Sequence, residues 1–463
     1  RGAQPSRGCL LPACAMLRTS LSRCGRRVAT RLSSSAARAP HADPLATTEG
    51  LIAQENAHVA HNYHPLPIVF ARAEGALVWD PEGREYLDFL SAYSAVNQGH
   101  CHPTIIEAAE AQLRRVTLTS RAFHNDQLPH WAAEMTSTFG YDAVLPMNTG
   151  AEAVETAVKL ARRWGYMVKG VPADQAVILH ASDSFHGRTL AAISMSTDPS
   201  SYNHHGPLAP GFATVPYGDE AALRATLEAY GGRVVGFMVE PIQGEAGVIV
   251  PPPGYLASCM RACEEHGALL IADEVQTGIG RTGRMLAVEH EGVRPHLVVL
   301  GKALGGGVYP ISAVVGDAEV MGTIQPGVHG STFGGNPLAC AVSLASLAVM
   351  RDEKLVERAE ALGAVWTAAV SPLITASGSS LATATRGRGL LQAIELNGPA
   401  MGAAGFDAMD VCTTLKERGV LAKPTRETTI RFAPPLVISE QDLRRGAAIV
   451  VDTIRDYETR CAF

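Results

Sequence analysis

The sequence predicts an α/β fold: a large domain with a mostly parallel sheet covered by helices, plus a smaller α/β domain built from both chain ends. Three observations carry that expectation. In the middle of the chain, short apolar runs alternate with longer helical patterns. The runs are AVILHA (176–181), VVGFMVEPI (234–242), LLIADEV (269–275) and LVVLGKAL (297–304), while AEAVETAVKLARRWG (151–165) and YLASCMRACEEHG (255–267) read as helices. Runs this continuous suit strands buried on both faces, which bind ligands at their carboxyl ends. The length of 463 residues exceeds what one hydrophobic core supports. Finally, residues 43–90 and 343–463 lack the dense alternation and together form the expected smaller domain, leaving 91–342 as the large one.

The first segment stands apart. Residues 1–42 contain no Asp or Glu, and Arg18, Arg23, Arg26, Arg27 and Arg31 are interleaved with Ser20, Ser22, Ser33, Ser34 and Ser35. An acid-free, Arg- and Ser-rich leader reads as an organellar presequence, expected to be disordered, with Met16 opening its most plausible version. Mitochondrion and plastid leaders share this chemistry; the mitochondrial matrix is the expected compartment, with the plastid as the alternative.

Composition removes several function classes. Hydrophobic residues make up 46% and charged residues 18%, as in a folded globular chain. The net charge of -6 has the wrong sign for a dedicated nucleic-acid binder. No apolar run is long enough to cross a bilayer, so neither nucleic acid nor membrane is an expected partner. Nine cysteines without CxxC spacing argue against a disulfide scaffold. A nucleotide-binding oxidoreductase would show GxGxxG after its first strand with an acidic residue about twenty positions further on, and no unit meeting both conditions is found.

Three motifs carry chemistry. In LVVLGKALGGG (297–307) a strand ends and Lys302 follows among glycines. A free lysine amine is protonated at neutral pH, but condensed with an aldehyde it becomes an electrophile for an incoming amine. Alone, the motif fits a surface lysine at a turn equally well. In LLIADEVQTG (269–278) Asp273 ends an apolar run, where a carboxylate needs a cationic partner such as the protonated ring nitrogen of pyridoxal phosphate. A helix cap or a buried ion pair is the competing reading. In PMNTGAEAVETAVKLARRWG (146–165) Asn148, Thr149 and Gly150 precede a long helix, whose N-terminal amides and dipole favour a phosphate. Ordinary capping by Asn or Thr explains this segment as well.

Together with SFHGRT, EPIQGEAG, IADEVQTGIGRTG and HGSTFGGNPLAC, these segments stand in the order found in the class III, or ω-type, aminotransferases of fold type I, and the chain resembles that family from about residue 50 to its end. NYHPLP, SAYSAVNQGHCHP, TLTSRAF, KLARRWGY, GVLAKPT and IRFAPPLVI look specifically like the branch that uses free ornithine.

The resemblance implies a pyridoxal 5'-phosphate enzyme that moves the δ-amino group of L-ornithine to 2-oxoglutarate, and it implies roles for residues. Lys302 would hold the cofactor covalently and shuttle the proton at the substrate carbon. Asp273 would pair with the ring nitrogen, and Gln276 would contact the phenolic oxygen. Phe185 and Val275 would sandwich the ring, and Gly150 and Ala151 would cradle the phosphate. Thr332 would reach the phosphate of a neighbouring subunit, implying a homodimer with shared active sites and room for a higher oligomer. Arg188 would hold the side-chain carboxylate of 2-oxoglutarate and Arg431 an α-carboxylate, since a planar guanidinium binds carboxylate bidentately. Glu245 would pair with Arg431 while ornithine reacts, and Tyr63 and Tyr93 would recognise ornithine's α-amino acid end. One departure is His186, where animal enzymes of this branch typically carry Trp, which puts the packing behind Phe185 in question. No companion spacing supports a metal role for it. The alternatives are another ω-amine within the family, such as acetylornithine, 4-aminobutyrate or an aminomutase substrate, and a non-catalytic relative acting as a binding protein.

Overall fold

The computed structural model describes residues 47–375 and 381–461. The expected presequence lies outside the described residues.

The central sheet has seven strands, in the order Ala143–Met147, Ser312–Gly316, Leu297–Leu300, Leu269–Asp273, Val234–Val239, Val177–Ala181 and Phe212–Val215. Ser312–Gly316 runs antiparallel to both of its neighbours, and every other adjacent pair is parallel. The apolar runs explain the layering. All five residues of Leu269–Asp273 are buried. Leu269 and Ile271 pack into one hydrophobic cluster, Leu270 and Ala272 into another, so the strand alternates between two covered faces. Helix Gly150–Met167 supplies one cover, burying Ala153, Val154, Ala157, Val158, Leu160, Ala161 and Trp164 along a single stripe. Helix Tyr255–Glu265 packs its buried Leu256, Cys259, Ala262 and Cys263 into the other cluster.

Three strands of this sheet were not foreseen in the sequence. Ala143–Met147 reads AVLPM, and its proline argues against a strand unless the strand lies at an edge, where this one does. Phe212–Val215, at the opposite edge, is only four residues long.

Two four-stranded sheets lie outside the central one. The first orders Arg72–Glu74, Leu77–Trp79, Glu85–Asp88 and Val420–Leu421; its last pairing is parallel, with Val420 opposite Leu87, so both chain ends build it. The second is antiparallel throughout and orders Ala382–Arg388, Leu391–Leu396, Thr429–Phe432 and Lys423–Thr425. Trp366, fully buried, packs against Phe89 from one segment and Phe432 from the other, with ring centroids 5.8 and 4.9 Å away. Among the described residues, no helix is long and apolar enough to cross a membrane.

Candidate active site

Two neighbouring parallel strands deliver the central pair. Leu269–Asp273 ends on Asp273, buried at 4% exposure, and Leu297–Leu300 leads through Gly301 to Lys302. Lys302 holds a left-handed φ of 44°, an unfavourable backbone for a side chain that a functional site can justify. It lines a cavity of about 820 Å³ together with Tyr63, Tyr93, Phe185, Arg188 and Glu245. Removal from water pushes the Lys302 ammonium below its ordinary pKa, with Arg431 adding to the effect and Glu245 and Asp273 opposing it. The amine is therefore more readily neutral here than on a surface.

Asp273 is held on both oxygens. His186 Nδ1 lies 2.6 Å from Oδ2, and the Val275 amide donates to Oδ1 at 3.1 Å. The His186 side chain is fully buried, and its Nε2 has no hydrogen-bond partner. Glu240 lies on the same side, accepting from the amides of Phe185 at 2.8 Å and Gly244 at 3.2 Å. Burial pushes its carboxyl up to about 7, partly offset by His186. The sequence carries a signal for Glu240: it directly follows the apolar strand Val234–Val239, as Asp273 ends its own.

The helix beginning at Gly150 behaves at its start as both readings allowed. Thr149 is a true N-cap, accepting from the Glu152 amide, and Glu152 returns the contact to the amides of Thr149 and Asn148 at 2.9 Å each. The amides of Gly150 and Ala151 sit in the first turn, where helices leave N–H groups without intrahelical partners. A Cβ on Gly150 would come 2.9 Å from Val275 Cγ1, so only glycine lets this turn lie so close to the segment after Asp273. The Asn148 side chain donates to Ser331 Oγ at 2.8 Å, tying this turn to the loop bearing Thr332. Thr332 itself is exposed and does not line the cavity of its own chain.

Arg188 lines the cavity, and Arg431 lies behind its lining residue Glu245. Arg188 donates to Ser201 Oγ at 2.6 Å, and its guanidinium lies 5.3 Å from the centroid of the Phe185 ring. Arg431, 1% exposed, donates to Glu245 at 2.7 Å and to Gln276 at 2.9 Å. The Gln276 amide also donates to Glu245 at 3.2 Å, closing a three-residue ring. This places Gln276 on the Arg431–Glu245 pair, a contact the sequence did not suggest. Gly244 makes room for it, since a Cβ there would sit 2.2 Å from Gln276 Oε1. Burial alone would raise the Glu245 carboxyl, but Arg431, with Lys302 and Gln276, outweighs it and holds the pKa below the ordinary value. Tyr93 stacks on Arg431, its ring centroid 4.8 Å from the guanidinium carbon. Tyr63 stands at the cavity with 72% exposure.

Tyr93 is presented by an unusual turn. Ser91, Ala92, Tyr93 and Ser94 all have positive φ, from 44° to 72°, making one left-handed helical turn without glycine. Each such residue costs about 1–2 kcal/mol. Asp88 holds the entry, accepting from the amides of Leu90 and Ser91 at 2.8 Å each.

Comparison with known proteins comes to the same chemistry. The family model for aminotransferase class-III matches residues 58–454. The mitochondrial ornithine aminotransferase of Arabidopsis thaliana is 52% identical over 411 residues, which covers 89% of this chain and 86% of that protein. A structure of the Toxoplasma gondii ornithine aminotransferase, described as having partial occupancy of PLP at the active site, superposes with a TM-score of 0.86 at 46% identity, covering 89% of this chain and 96% of that one. The acetylornithine aminotransferase of Elizabethkingia anophelis superposes with a TM-score of 0.79 at 50% identity, covering 89% and 100%.

Proposed function

The chain belongs to the class-III aminotransferases, and from that premise we propose that it transfers the δ-amino group of L-ornithine to 2-oxoglutarate, yielding glutamate and glutamate 5-semialdehyde, which cyclises to pyrroline-5-carboxylate. The observation that carries the choice of substrate is the ion pair between Arg431 and Glu245, 2.7 Å apart, with Glu245 lining the cavity that Arg188 also lines.

The residues fit pyridoxal 5'-phosphate, the cofactor of this family. A buried carboxylate at a strand end, a lysine at the next strand end and a helix N-terminus that only glycine can bring close are the groups it requires. When bound, it supplies an aldehyde that condenses with amines and a ring that accepts electrons from the carbon losing its proton. Lys302 would hold it and, once displaced by a substrate amine, take and return the proton at the reacting carbon. Asp273 would keep the ring nitrogen protonated, and the amides of Gly150 and Ala151 would bind the phosphate. Phe185 and Val275 would flank the ring, and Gln276, which bridges Arg431 and Glu245, would contact its phenolic oxygen.

Two substrates with different carboxylate patterns must use one pocket. With Glu245 closed on Arg431, that guanidinium is neutralised, so ornithine's α-carboxylate is not drawn to it and the δ-amine reaches Lys302. Tyr63 and Tyr93 receive the α-amino acid end. With 2-oxoglutarate, Glu245 withdraws, Arg431 takes the α-carboxylate and Arg188 takes the distal one.

Thr332 and its neighbour Phe333, 47% exposed, support a homodimer in which the partner subunit's Thr332 completes the phosphate site. The sheet shared by Glu85–Asp88 and Val420–Leu421 supports 43–90 and 343–463 acting as one smaller domain beside 91–342. The acid-free leader and the mitochondrial name of the Arabidopsis relative support delivery to the mitochondrial matrix.

The deciding experiment is a half-reaction: purified holoenzyme receives ornithine, acetylornithine, 4-aminobutyrate or glutamate singly while the cofactor spectrum is followed. Ornithine is expected to convert it fastest. Faster conversion by acetylornithine or 4-aminobutyrate would replace the substrate assignment within the same family.

A further inference from the structure

The motif IADEVQTGIGRTG contains, near its end, a residue that the reaction has not yet used. Arg281 is fully buried, and the partners of its guanidinium are all neutral. Nη1 donates to the carbonyls of Pro434 at 2.6 Å and Leu390 at 3.0 Å. Nη2 donates to Ser91 Oγ at 3.0 Å and to the side-chain oxygen of Asn97. A buried guanidinium with no carboxylate among its hydrogen-bond partners is costly, so its placement calls for a reason.

The two arms reach two functional segments. Ser91 opens the left-handed turn that carries Tyr93. Pro434 lies three residues beyond Arg431, on the chain leaving the strand Thr429–Phe432. The same segments meet directly where Ser91 Oγ donates to the Ala433 carbonyl at 2.6 Å. Further contacts reinforce the joint: the Ala433 amide donates to the Phe89 carbonyl at 2.7 Å and the Leu436 amide to the Asn97 carbonyl at 2.8 Å. Tyr93 and Arg431, brought ring to guanidinium at 4.8 Å, are therefore separate in sequence and joined through one planar fork.

We infer that Arg281 is a positioning residue: its guanidinium holds the strained turn bearing Tyr93 in register with the strand bearing Arg431, and so sets the pocket's grip on its substrates. This rests on the substrate roles given above to Tyr93 and Arg431. A left-handed turn of four non-glycine residues persists only where its surroundings over-determine it, and Arg281 is one of the determinants. Lysine cannot replace it, because a single ammonium lacks the fork that reaches Ser91 on one side and Pro434 on the other.

The test uses holoenzyme carrying Arg281→Lys or Ser91→Ala, with KM for ornithine and for 2-oxoglutarate, single-turnover rate at saturation, and Tm measured on each. Both KM values are expected to rise about five- to fiftyfold in Arg281→Lys, with the saturating rate within about threefold of wild type. Ser91→Ala, which removes only one hydroxyl, is expected to raise both KM values about three- to tenfold with little change in Tm. The double variant should be no worse than Arg281→Lys alone, since both break one joint. If Arg281→Lys does not fold, the Ser91→Ala measurement decides. A lower Tm with unchanged KM values in these variants would overturn the inference and leave Arg281 a core clasp. Tyr93→Ala and Arg431→Gln run alongside. If they raise KM while the Arg281 and Ser91 variants do not, the positioning role alone fails; if they leave KM unchanged, the substrate roles fall and the inference falls with them.

Discussion

His186 Nδ1 lies 2.6 Å from Asp273 Oδ2, and neither side chain is more than 4% exposed. The carboxylate that would face a cationic ring nitrogen on one side thus meets an imidazole on the other. Burial alone would push the imidazole's pKa down, but the hydrogen bond and charge of Asp273 outweigh it and hold it above the ordinary histidine value. His180 nearby is pushed down to about 4, by burial first and then by His186.

That pair sets a pH dependence. A folded pKa above the unfolded value of about 6.5 means the folded state binds the proton more tightly. The stabilisation is then complete below about pH 6.5 and fades as pH rises through the folded pKa. His186→Phe is expected to lower the stability of the cofactor-free protein by about 1–3 kcal/mol, since it strips a buried carboxylate of a partner. Thermal melts of wild type and variant at pH 6 and pH 9 should show the larger gap at pH 6. An equal gap at both would mean that folding leaves the His186 pKa at its unfolded value.

Lys302 gives a chemical prediction. The purified protein is expected to be yellow with bound cofactor, and borohydride is expected to fix the cofactor on Lys302. Lys302→Ala should bind it without covalent attachment and lose at least about a thousandfold in turnover, since both nucleophile and proton carrier are gone. Peptide mapping after reduction reads the first outcome. Label on any other lysine would refute the assignment.

Residues 16–42 fused to a reporter are expected to direct it to mitochondria, because the leader is positively charged and free of acids. Imaging decides: diffuse cytosolic signal would refute the address, and plastid signal the compartment.

The large sheet was legible because strands buried on both faces leave uninterrupted apolar words, and Asp273 and Lys302 stood out where those words ended. What escaped notice depended on packing between distant segments. No periodicity announces that Ser91–Ser94 winds left-handed without a glycine, because Asp88, Arg281 and Ala433 impose that conformation from outside. His186 was noticed as a departure, yet its partner lies 87 positions away. Gln276 was assigned from resemblance to one contact and makes two others, because the side chain of Arg431 arrives from a different sheet.

The Arg431–Glu245 pair yields the sharpest prediction. Arg431 is 1% exposed, and its guanidinium is shared by Glu245 and Gln276, so the positive charge is covered on its cavity side. Glu245 keeps 33% side-chain exposure and can leave, whereas Arg431 cannot. The mobile half of the switch is therefore the carboxylate. Glu245→Ala leaves Arg431 open to any α-carboxylate: ornithine is drawn into a misplaced pose, while glutamate, which needs that contact, is helped. A close, partly desolvated pair of this kind is worth about 1–3 kcal/mol, so the preference for ornithine over glutamate should fall about ten- to a hundredfold. Glu245→Gln should fall part of the way, because an amide can still accept from Arg431 but cancels no charge. Gln276→Ala should shift the preference less than Glu245→Ala, because it removes a bridge and leaves the ion pair. Single-turnover conversion of the cofactor spectrum with each donor measures all three. If Glu245→Ala leaves the ratio unchanged, the pair is a structural salt bridge, and Tyr63, Tyr93 and the cavity's shape must discriminate without it.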